Sequence, residues 1–133
     1  MRLRWTFLAL AVRGPFAPCR AQVRKIAELN TTQIRDLDRA KSVVLLPSGM
    51  LEEHGPYLPA FTDGILSDRL TTAIADGVHA RKPDWTVLVF PPIPVGSSGS
   101  NEVGGQFQFL GTYSVRPSTL RAIYMDLTAE LGD

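Results

Sequence analysis

Short apolar runs alternate with longer amphipathic stretches over most of this chain. Residues 42–46 and 85–90 are continuous apolar runs rich in β-branched side chains, which is typical of strands buried on both faces of a sheet. Between them, residues 64–80 predict a helix with an apolar stripe on one face. The stripe consists of Leu66, Leu70, Ala73, Ile74 and Val78.

Three further segments complete the predicted order of elements. Asn30-Thr31-Thr32 is typical of a helix start, residues 107–115 form an extended piece interrupted by Gly111, and Pro117 suits the first turn of a last helix. Such alternation predicts an α/β fold of three layers (α/β/α) with a mostly parallel sheet. We expect the core to include the stripe of residues 64–80 and that of the last helix, which is Leu120, Ile123, Tyr124, Leu127 and Leu131.

The first 21 residues differ from the rest of the chain. Arg2 and Arg4 precede an apolar run at 5–12, and a small residue, Ala21, lies near a cleavage point. This is the layout of a secretory signal, although the apolar run is short for one, and it is too short to span a bilayer. We expect a signal peptide at 1–21, a folded domain at 22–133 and export to the periplasm or medium. A wrongly assigned start codon or a loose tail is the alternative, with a cytoplasmic protein.

Composition narrows the function classes. The 133 residues carry 14 Lys and Arg against 13 Asp and Glu, for a net charge of +1, and the basic residues form no stripe. Nucleic acid is therefore not an expected partner, and attachment to a membrane by charge is equally unsupported. The single cysteine, Cys19, excludes a disulfide within the chain.

The candidate chemistry lies in the loop after the first predicted strand. Glu52 and His54 are two residues apart, so extended backbone directs both side chains to one face. Asp63 follows after a segment whose Pro and Gly residues favour a turn back. Carboxylate, imidazole and carboxylate are ligands that hydrolytic Zn, Mn or Fe sites use. The competing interpretations are that the glutamates are solvated loop acids and that Asp63 only caps the next helix.

Other polar residues receive simpler interpretations. His79, near the end of a predicted helix, is expected at the surface or as compensation for the helix dipole. Ser97, Ser98 and Ser100 are expected to form a loop, because no nucleophile motif surrounds them. Glu102 is a weaker candidate for a substrate contact or a general base.

The loop resembles the signature of a known enzyme family. Leu46-Pro47-Ser48-Gly49, Glu52-Glu53-His54-Gly55-Pro56-Tyr57-Leu58-Pro59 and Thr62-Asp63 are similar to the first metal-binding segment of the creatininase family of amidohydrolases. Phe109-Leu110-Gly111-Thr112-Tyr113-Ser114-Val115 resembles a later segment of that family. The resemblance covers residues 28–133.

The resemblance implies an activity and roles for three residues. Glu52 would bind one divalent ion, His54 a second ion, and Asp63 would bridge the two. The implied reaction is hydrolysis of a cyclic or linear C–N amide bond in a small molecule by a metal-bound hydroxide, with Zn, Mn or Fe as the metal. Two ions per complete site and a homo-oligomer are also implied.

Three departures from the family pattern qualify this expectation. Tyr57 stands where the family usually has His, and Leu110 where it usually has Pro. The chain also ends before the strand that supplies the family's remaining ligands, so we expect it to be truncated. The rival expectation is a non-catalytic module that binds a partner or one weakly held metal ion.

Overall fold

The structure is a computed structural model that describes residues 22–98 and 109–132. The proposed signal peptide, Cys19, Ser100, Glu102 and the start of the predicted extended piece at 107–115 lie outside the described residues. Six elements, separated by loops and two 3-10 turns (Ile26–Glu28 and Arg39–Lys41), make up the described part of the chain. They are β1 (Gln22–Lys25), α1 (Thr31–Arg35), β2 (Ser42–Leu45), α2 (Thr62–Arg81), β3 (Thr86–Val89) and α3 (Pro117–Gly132).

The three strands form one parallel sheet in the order β1-β3-β2. In its register Thr86 of β3 lies between Gln22 of β1 and Ser42 of β2. The sequence β2, α2, β3 therefore forms a β-α-β unit, and the predicted α/β class with a parallel sheet is confirmed. Central strand β3 supplies the most buried side chain, Val87, which is 0% exposed.

Pairing between the two apolar strands continues past their ends. Ile93 N–H donates to the Pro47 carbonyl (3.1 Å), and Gly49 N–H donates to the Ile93 carbonyl (3.3 Å), around a parallel bridge between Ser48 and Ile93. Met50 and Ile93 are buried beside this extension. These contacts hold the chain after β2 in place as far as Gly49, shortly before the loop that contains Glu52 and His54.

Helix α2 packs on the sheet through a different face from the predicted one. The residues it buries are Gly64, Thr71 and Ala75, and it contacts β3 and β1. The predicted core stripe was wrong: Leu66 is 57% exposed, Leu70 62% and Ile74 43%. Small side chains on the inner face let the helix axis approach the strands closely, which larger ones would prevent.

The sheet is not evenly covered by the helices. On the α2 side, Val43 of β2 lines an open groove of about 600 Å³ together with Ile74, Val78 and Trp85. On the opposite side, Val44 and Leu88 face a second groove of about 420 Å³, bounded by residues of the α1 region and the end of α3. Helical segments therefore lie on both faces of the sheet.

Helix α3 begins where the sequence predicts, but its stripe is not part of the fully buried core of the described residues. Pro117 is its first residue, as expected for a side chain that fixes φ and lacks the N–H. All five residues of the predicted stripe are half-buried, whereas Met125 is 53% exposed. No helix of the described residues is long and apolar enough to cross a membrane.

Two strand predictions differ from the structure. Residues 109–115 are not a strand: Thr112 N–H donates to the Phe109 carbonyl (3.0 Å) in a turn, Gly111 has φ of 88°, and Ser114 makes an isolated bridge to Gly96. A left-handed glycine interrupts an extended run at that point. The sequence interpretation also missed β1. This short edge strand contains the charged residues Arg24 and Lys25 and so lacks the apolar run that predicts a buried strand, as is common for edge strands.

The helix start at Asn30 is confirmed, but the helix is short. The Asn30 side chain accepts from Gln33 N–H (3.0 Å) and the Gln33 side chain accepts from Asn30 N–H (3.0 Å), which is a complete capping box. α1 nevertheless ends at Arg35.

Candidate metal site

The loop that follows the strand extension is closed at its base by a backbone hydrogen bond. Glu52 N–H donates to the Ala60 carbonyl (2.9 Å), so residues 52–60 leave the sheet edge and return to it. Gly55 makes the sharp change of direction with φ of 74°, a conformation that favours glycine. Its N–H donates to Glu53 Oε1 (2.6 Å). Glu53 therefore stabilises the turn with its own side chain.

The returning chain enters α2 directly, and this places Asp63. Thr62 donates both its N–H (3.0 Å) and its hydroxyl (2.6 Å) to the Pro59 carbonyl. The helix cap is Phe61, which makes no side-chain capping bond, and Asp63 lies within the first turn. The interpretation of Asp63 as the N-cap is therefore wrong. Its carboxylate instead lies near the positive end of the helix dipole, which favours negative charge.

A glycine contact brings the strand end and the helix start together. A Cβ on Gly49 would collide with the backbone of Gly64, and it would lie 2.8 Å from the carbonyl carbon of Asp63. Both glycines are buried. The absence of a side chain at Gly49 thus sets the distance between the loop and Asp63.

The structure brings the three residues predicted from the sequence together. One ligand atom each from Glu52, His54 and Asp63 lies within 4.8 Å of the other two. His54 Nε2 is 3.2 Å from Asp63 Oδ1, and all three residues are half-buried. Two ligands bonded to one Zn ion at about 2.0–2.2 Å lie roughly 3–4 Å apart, so the 3.2 Å between His54 Nε2 and Asp63 Oδ1 fits a shared divalent ion.

The imidazole of His54 is held at both nitrogens. Nδ1 is 3.0 Å from the Glu52 carbonyl oxygen, and Nε2 is directed at Asp63. The carbonyl can only accept, so it keeps a proton on Nδ1 and leaves Nε2 as the atom available to a metal. The pKa of His54 is raised, first by this backbone hydrogen bond and further by the neighbouring carboxylates of Asp63 and Glu52.

The two carboxyl groups also affect each other. The pKa of Glu52 is raised, mainly by a hydrogen bond with the Asp63 side chain, then by burial and by the negative charge of Asp63, while His54 acts in the opposite direction. Two carboxylates at this separation repel each other unless a proton or a cation lies between them. The two carboxyl groups therefore repel each other when both are charged, and a bound divalent cation would remove this repulsion.

The segment after residue 108 forms a second wall beside the three ligands. Tyr113 N–H donates to the Leu51 carbonyl (2.9 Å), and Glu53 N–H donates to the Thr112 hydroxyl (2.9 Å). A small, mostly polar cavity of about 180 Å³ adjoins the site there. Its lining residues are Glu52, Glu53, Ser98, Phe109 and Thr112.

The remaining sequence candidates lie apart from this group. His79 is half-buried in the last turn of α2, the position expected for a residue that compensates the helix dipole, and its Nδ1 has no hydrogen-bond partner in the described part of the chain. Tyr57, where the family usually has His, is 93% exposed, and Leu110 is 94% exposed. Ser98 donates its N–H to the Ser114 hydroxyl (2.9 Å), in agreement with a loop role.

Three features of the site carry no sequence signal that would have revealed them. They are the Glu52 carbonyl that orients His54, the Thr112 hydroxyl that holds the loop, and the close approach of Gly49 to Gly64. The first two use backbone atoms or long-range contacts, which a linear pattern does not contain. Gly49 and Thr112 belong to the segments that resemble the family, but nothing in those segments indicates these contacts.

Fold and site together define an α/β protein with a carboxylate-imidazole-carboxylate group at the carboxyl end of a parallel strand, where α/β proteins place their ligands. A protein-family model described as "Creatininase: Creatinine amidohydrolase" matches residues 27–133. The chain belongs to the creatininase family.

Curated relatives agree with this assignment. A mycofactocin precursor peptide peptidase from Mycobacterium ulcerans is 32% identical over 109 residues, which are 79% of this chain and 41% of that protein. The protein of the same name from Mycolicibacterium smegmatis is 33% identical over 101 residues, 74% of this chain and 37% of its own. A creatinine amidohydrolase from Pseudomonas putida is 30% identical over 90 residues, 68% of this chain and 32% of its own.

The matched segment is thus about two fifths or less of each relative's length. No solved structure matches this chain.

Proposed function

We propose that this chain provides one half of the active site of a metal-dependent amidohydrolase. The observation that carries the proposal is the convergence of Glu52, His54 and Asp63, whose ligand atoms lie within 4.8 Å of one another. The family assignment supports the same reaction class. The chain spans less than half of the relatives' length. That this chain alone hydrolyses an amide bond is therefore itself a proposal.

The three side chains are prepared for binding a cation by their surroundings. Asp63 is presented by the first turn of α2, and the Glu52 carbonyl orients His54 so that Nε2 is directed into the site. A divalent ion held by these three side chains would supply a more acidic water molecule and polarisation of an amide carbonyl group. We propose Zn, Mn or Fe as the metal, with two ions in the complete site and Asp63 shared between them.

The names of the relatives, rather than the pocket, support the proposed substrate class. One group of relatives is named for a peptidase and another for creatinine amidohydrolase, so their names span a linear and a cyclic substrate. We propose a C–N amide bond in a small molecule or short peptide as the target. The cavity beside Glu52 is the space in which the part of the substrate next to that bond would lie.

A non-catalytic module is the second candidate. The described residues contain a single group of three or more metal-ligating side chains, with three members. Hydrolytic metal sites generally use three protein ligands for one ion, so three ligands are too few for two tightly held ions. This candidate predicts at most one ion, weakly bound, and no turnover.

Metal binding by the purified chain tests the proposal directly. We expect Zn²⁺ or Mn²⁺ titrations followed by calorimetry to show saturable binding that His54→Ala weakens by at least about tenfold. His79→Ala is the matched control, because it removes the other of the two histidines and should leave the affinity unchanged. Equal affinities in all three proteins would show that the proposed site is not the one that binds.

Stoichiometry and turnover then separate the two candidates. Two tightly held ions per chain, with amide hydrolysis that a chelator abolishes, support an enzyme that is active as it stands. One weakly held ion without turnover supports the non-catalytic module. Retention of amide hydrolysis by His54→Ala would contradict the proposed role of this residue in either case.

A further inference from the structure

An open apolar groove runs along α2 at the end of the sheet where the strands begin. Its volume is about 600 Å³, which lies within the range of roughly 300–1,000 Å³ that small-molecule sites have. Its walls come from Val43 near the start of β2, from Trp85 directly before β3, and from one side of α2. The proposed metal ligands come after the opposite end of β2, so the groove is a separate feature.

The α2 wall of the groove is an apolar row that ends in positive charge. Positions i, i+1, i+4 and i+5 share one side of a helix, and the groove uses such a set: Ala73, Ile74, Gly77 and Val78. Ile74 is 43% exposed there although it is apolar. Among the described residues that line the groove, only Arg81 and Lys82 are charged, and they lie at the carboxyl end of α2. The groove therefore combines apolar walls with two basic groups at one end.

The two cations are held over the apolar walls. Arg81 turns back along α2, and its Nη1 donates to the Gly77 carbonyl (3.3 Å), which uses one of the five N–H donors of a guanidinium group. Lys82 Nζ lies 5.6 Å from the centre of the Trp85 ring, which is a cation–π distance. Within residues 22–98 and 109–132 neither side chain forms an ion pair.

Two simpler roles do not account for both cations. The carboxyl end of a helix favours positive charge, but its dipole is equivalent to only about half an elementary charge. The acid closest to them along the chain, Asp84, is 3.0 Å from Lys41 Nζ, and the pKa of Asp84 is lowered mainly by the hydrogen bond from Lys41 and least by Lys82. This end of the groove thus has positive charge in excess, which an anionic ligand would neutralise.

We propose that this groove binds a free monocarboxylate with an apolar body, of the medium-chain fatty acid type. The apolar body lies along Val43, Ile74 and Trp85, where its burial removes apolar surface from water. The carboxylate meets Arg81 and Lys82 at the end of α2, and the planar guanidinium group can donate two parallel N–H bonds to it. An ammonium group at the same place would meet charge of its own sign. The ligand is bound without chemical change.

Titration of the complete chain with three probes of equal length tests this assignment. The chain has two tryptophans, so the Trp5→Phe background leaves Trp85 in the groove wall as the fluorescent reporter. We expect decanoate to bind saturably and at least about tenfold more tightly than decan-1-ol, with decylamine weakest, because only the acid pairs with the two cations. Equal affinities for acid and alcohol would show a groove that accepts any apolar segment, including polypeptide, and would overturn the proposal.

Variants of the two cations test the position of the carboxylate. Arg81→Gln and Lys82→Gln should each weaken decanoate binding by roughly 3- to 10-fold and leave decan-1-ol binding unchanged, since the alcohol has no charge to pair. Arg69→Gln is the matched control, because Arg69 is an exposed residue of α2 that does not line the groove. Calorimetry measures these affinities without depending on the Trp85 signal, which Lys82→Gln itself changes.

Filling the groove tests where the apolar body lies. Ala73→Phe places a ring in the groove and should abolish binding of all three probes, whereas Thr72→Phe, at an exposed position outside the lining, should leave binding intact. Circular dichroism should show that both variants keep the helix content of the original chain. Decanoate binding that survives Ala73→Phe, or that is unaffected by Arg81→Gln and Lys82→Gln, would contradict the assigned ligand.

Discussion

His54 shows how one backbone contact prepares a side chain for metal binding. The Glu52 carbonyl two residues earlier accepts from Nδ1, so the loop that supplies one ligand also orients the next. Both ring nitrogens face acceptors, which stabilises the protonated ring when no cation is bound and raises its pKa. A metal ion and a proton therefore compete for the same atom, Nε2.

The raised pKa of His54 predicts a pH dependence of stability for the metal-free chain. The folded state holds the proton more tightly than the unfolded state, in which the pKa is near 6.5. The stabilisation is therefore complete below pH 6.5 and is lost as the pH rises through the raised pKa.

The measurement is chemical unfolding of the chelator-treated chain and of His54→Asn at a series of pH values. The difference in unfolding free energy between the two proteins should be constant at acidic pH and should shrink above pH 6.5. A difference that does not change with pH would show that the contacts of His54 do not favour its protonated form.

At the scale of the element, α2 has an inner face of small buried residues and an outer face with exposed leucines. The inner face is made of small residues such as Ala75, which is 1% exposed, and it lies against β3 and β1. The outer face carries the leucines. The helix therefore contacts the sheet with its smallest side chains and not with its most hydrophobic ones. Small side chains allow a closer fit, and the contact energy depends on fit as well as on apolar area.

The same substitution on the two faces should have very different effects. Ala75→Leu forces a larger side chain against the sheet and should lower the unfolding free energy by about 1–3 kcal/mol. Ala73→Leu, at an exposed position two residues away, should change it by less than about 0.5 kcal/mol. Urea denaturation of both variants makes the comparison, and equal effects would contradict the assigned inner face.

At the scale of the whole molecule, two distant segments meet at the site. The loop at 52–60 and the segment 109–115 are joined by the bond from Tyr113 N–H to the Leu51 carbonyl and by the bond from Glu53 N–H to the Thr112 hydroxyl. The second bond spans 59 residues. The metal-binding loop is therefore held from one side by the sheet and from the other by the segment that precedes α3.

Removal of the Thr112 hydroxyl should loosen this junction. In Thr112→Val the Glu53 N–H loses its acceptor, and its hydrogen exchange should become faster by about 2- to 10-fold, the equivalent of a hydrogen bond of ordinary strength. Thr112→Ser keeps the hydroxyl and should exchange at nearly the original rate. The rates are measured by amide exchange and NMR, and identical rates in the two variants would show that this bond does not hold the loop.

The sequence by itself determined the α/β class, the two apolar strands, the last helix and the three side chains that converge. Each of these depends on local spacing or on a short motif, such as Glu52 and His54 two residues apart. A pattern of this kind is readable because nearby residues in an element keep a fixed geometry.

The tertiary structure decided which face of α2 meets the sheet, where β1 joins it, and how residues 109–115 hold the loop. It also decided the approach of Gly49 to Gly64 and the orientation of His54 by a carbonyl. These features depend on packing distances between segments and on backbone atoms. Every residue has the same backbone atoms, so the order of side-chain types along the chain does not predict which of them will make these contacts.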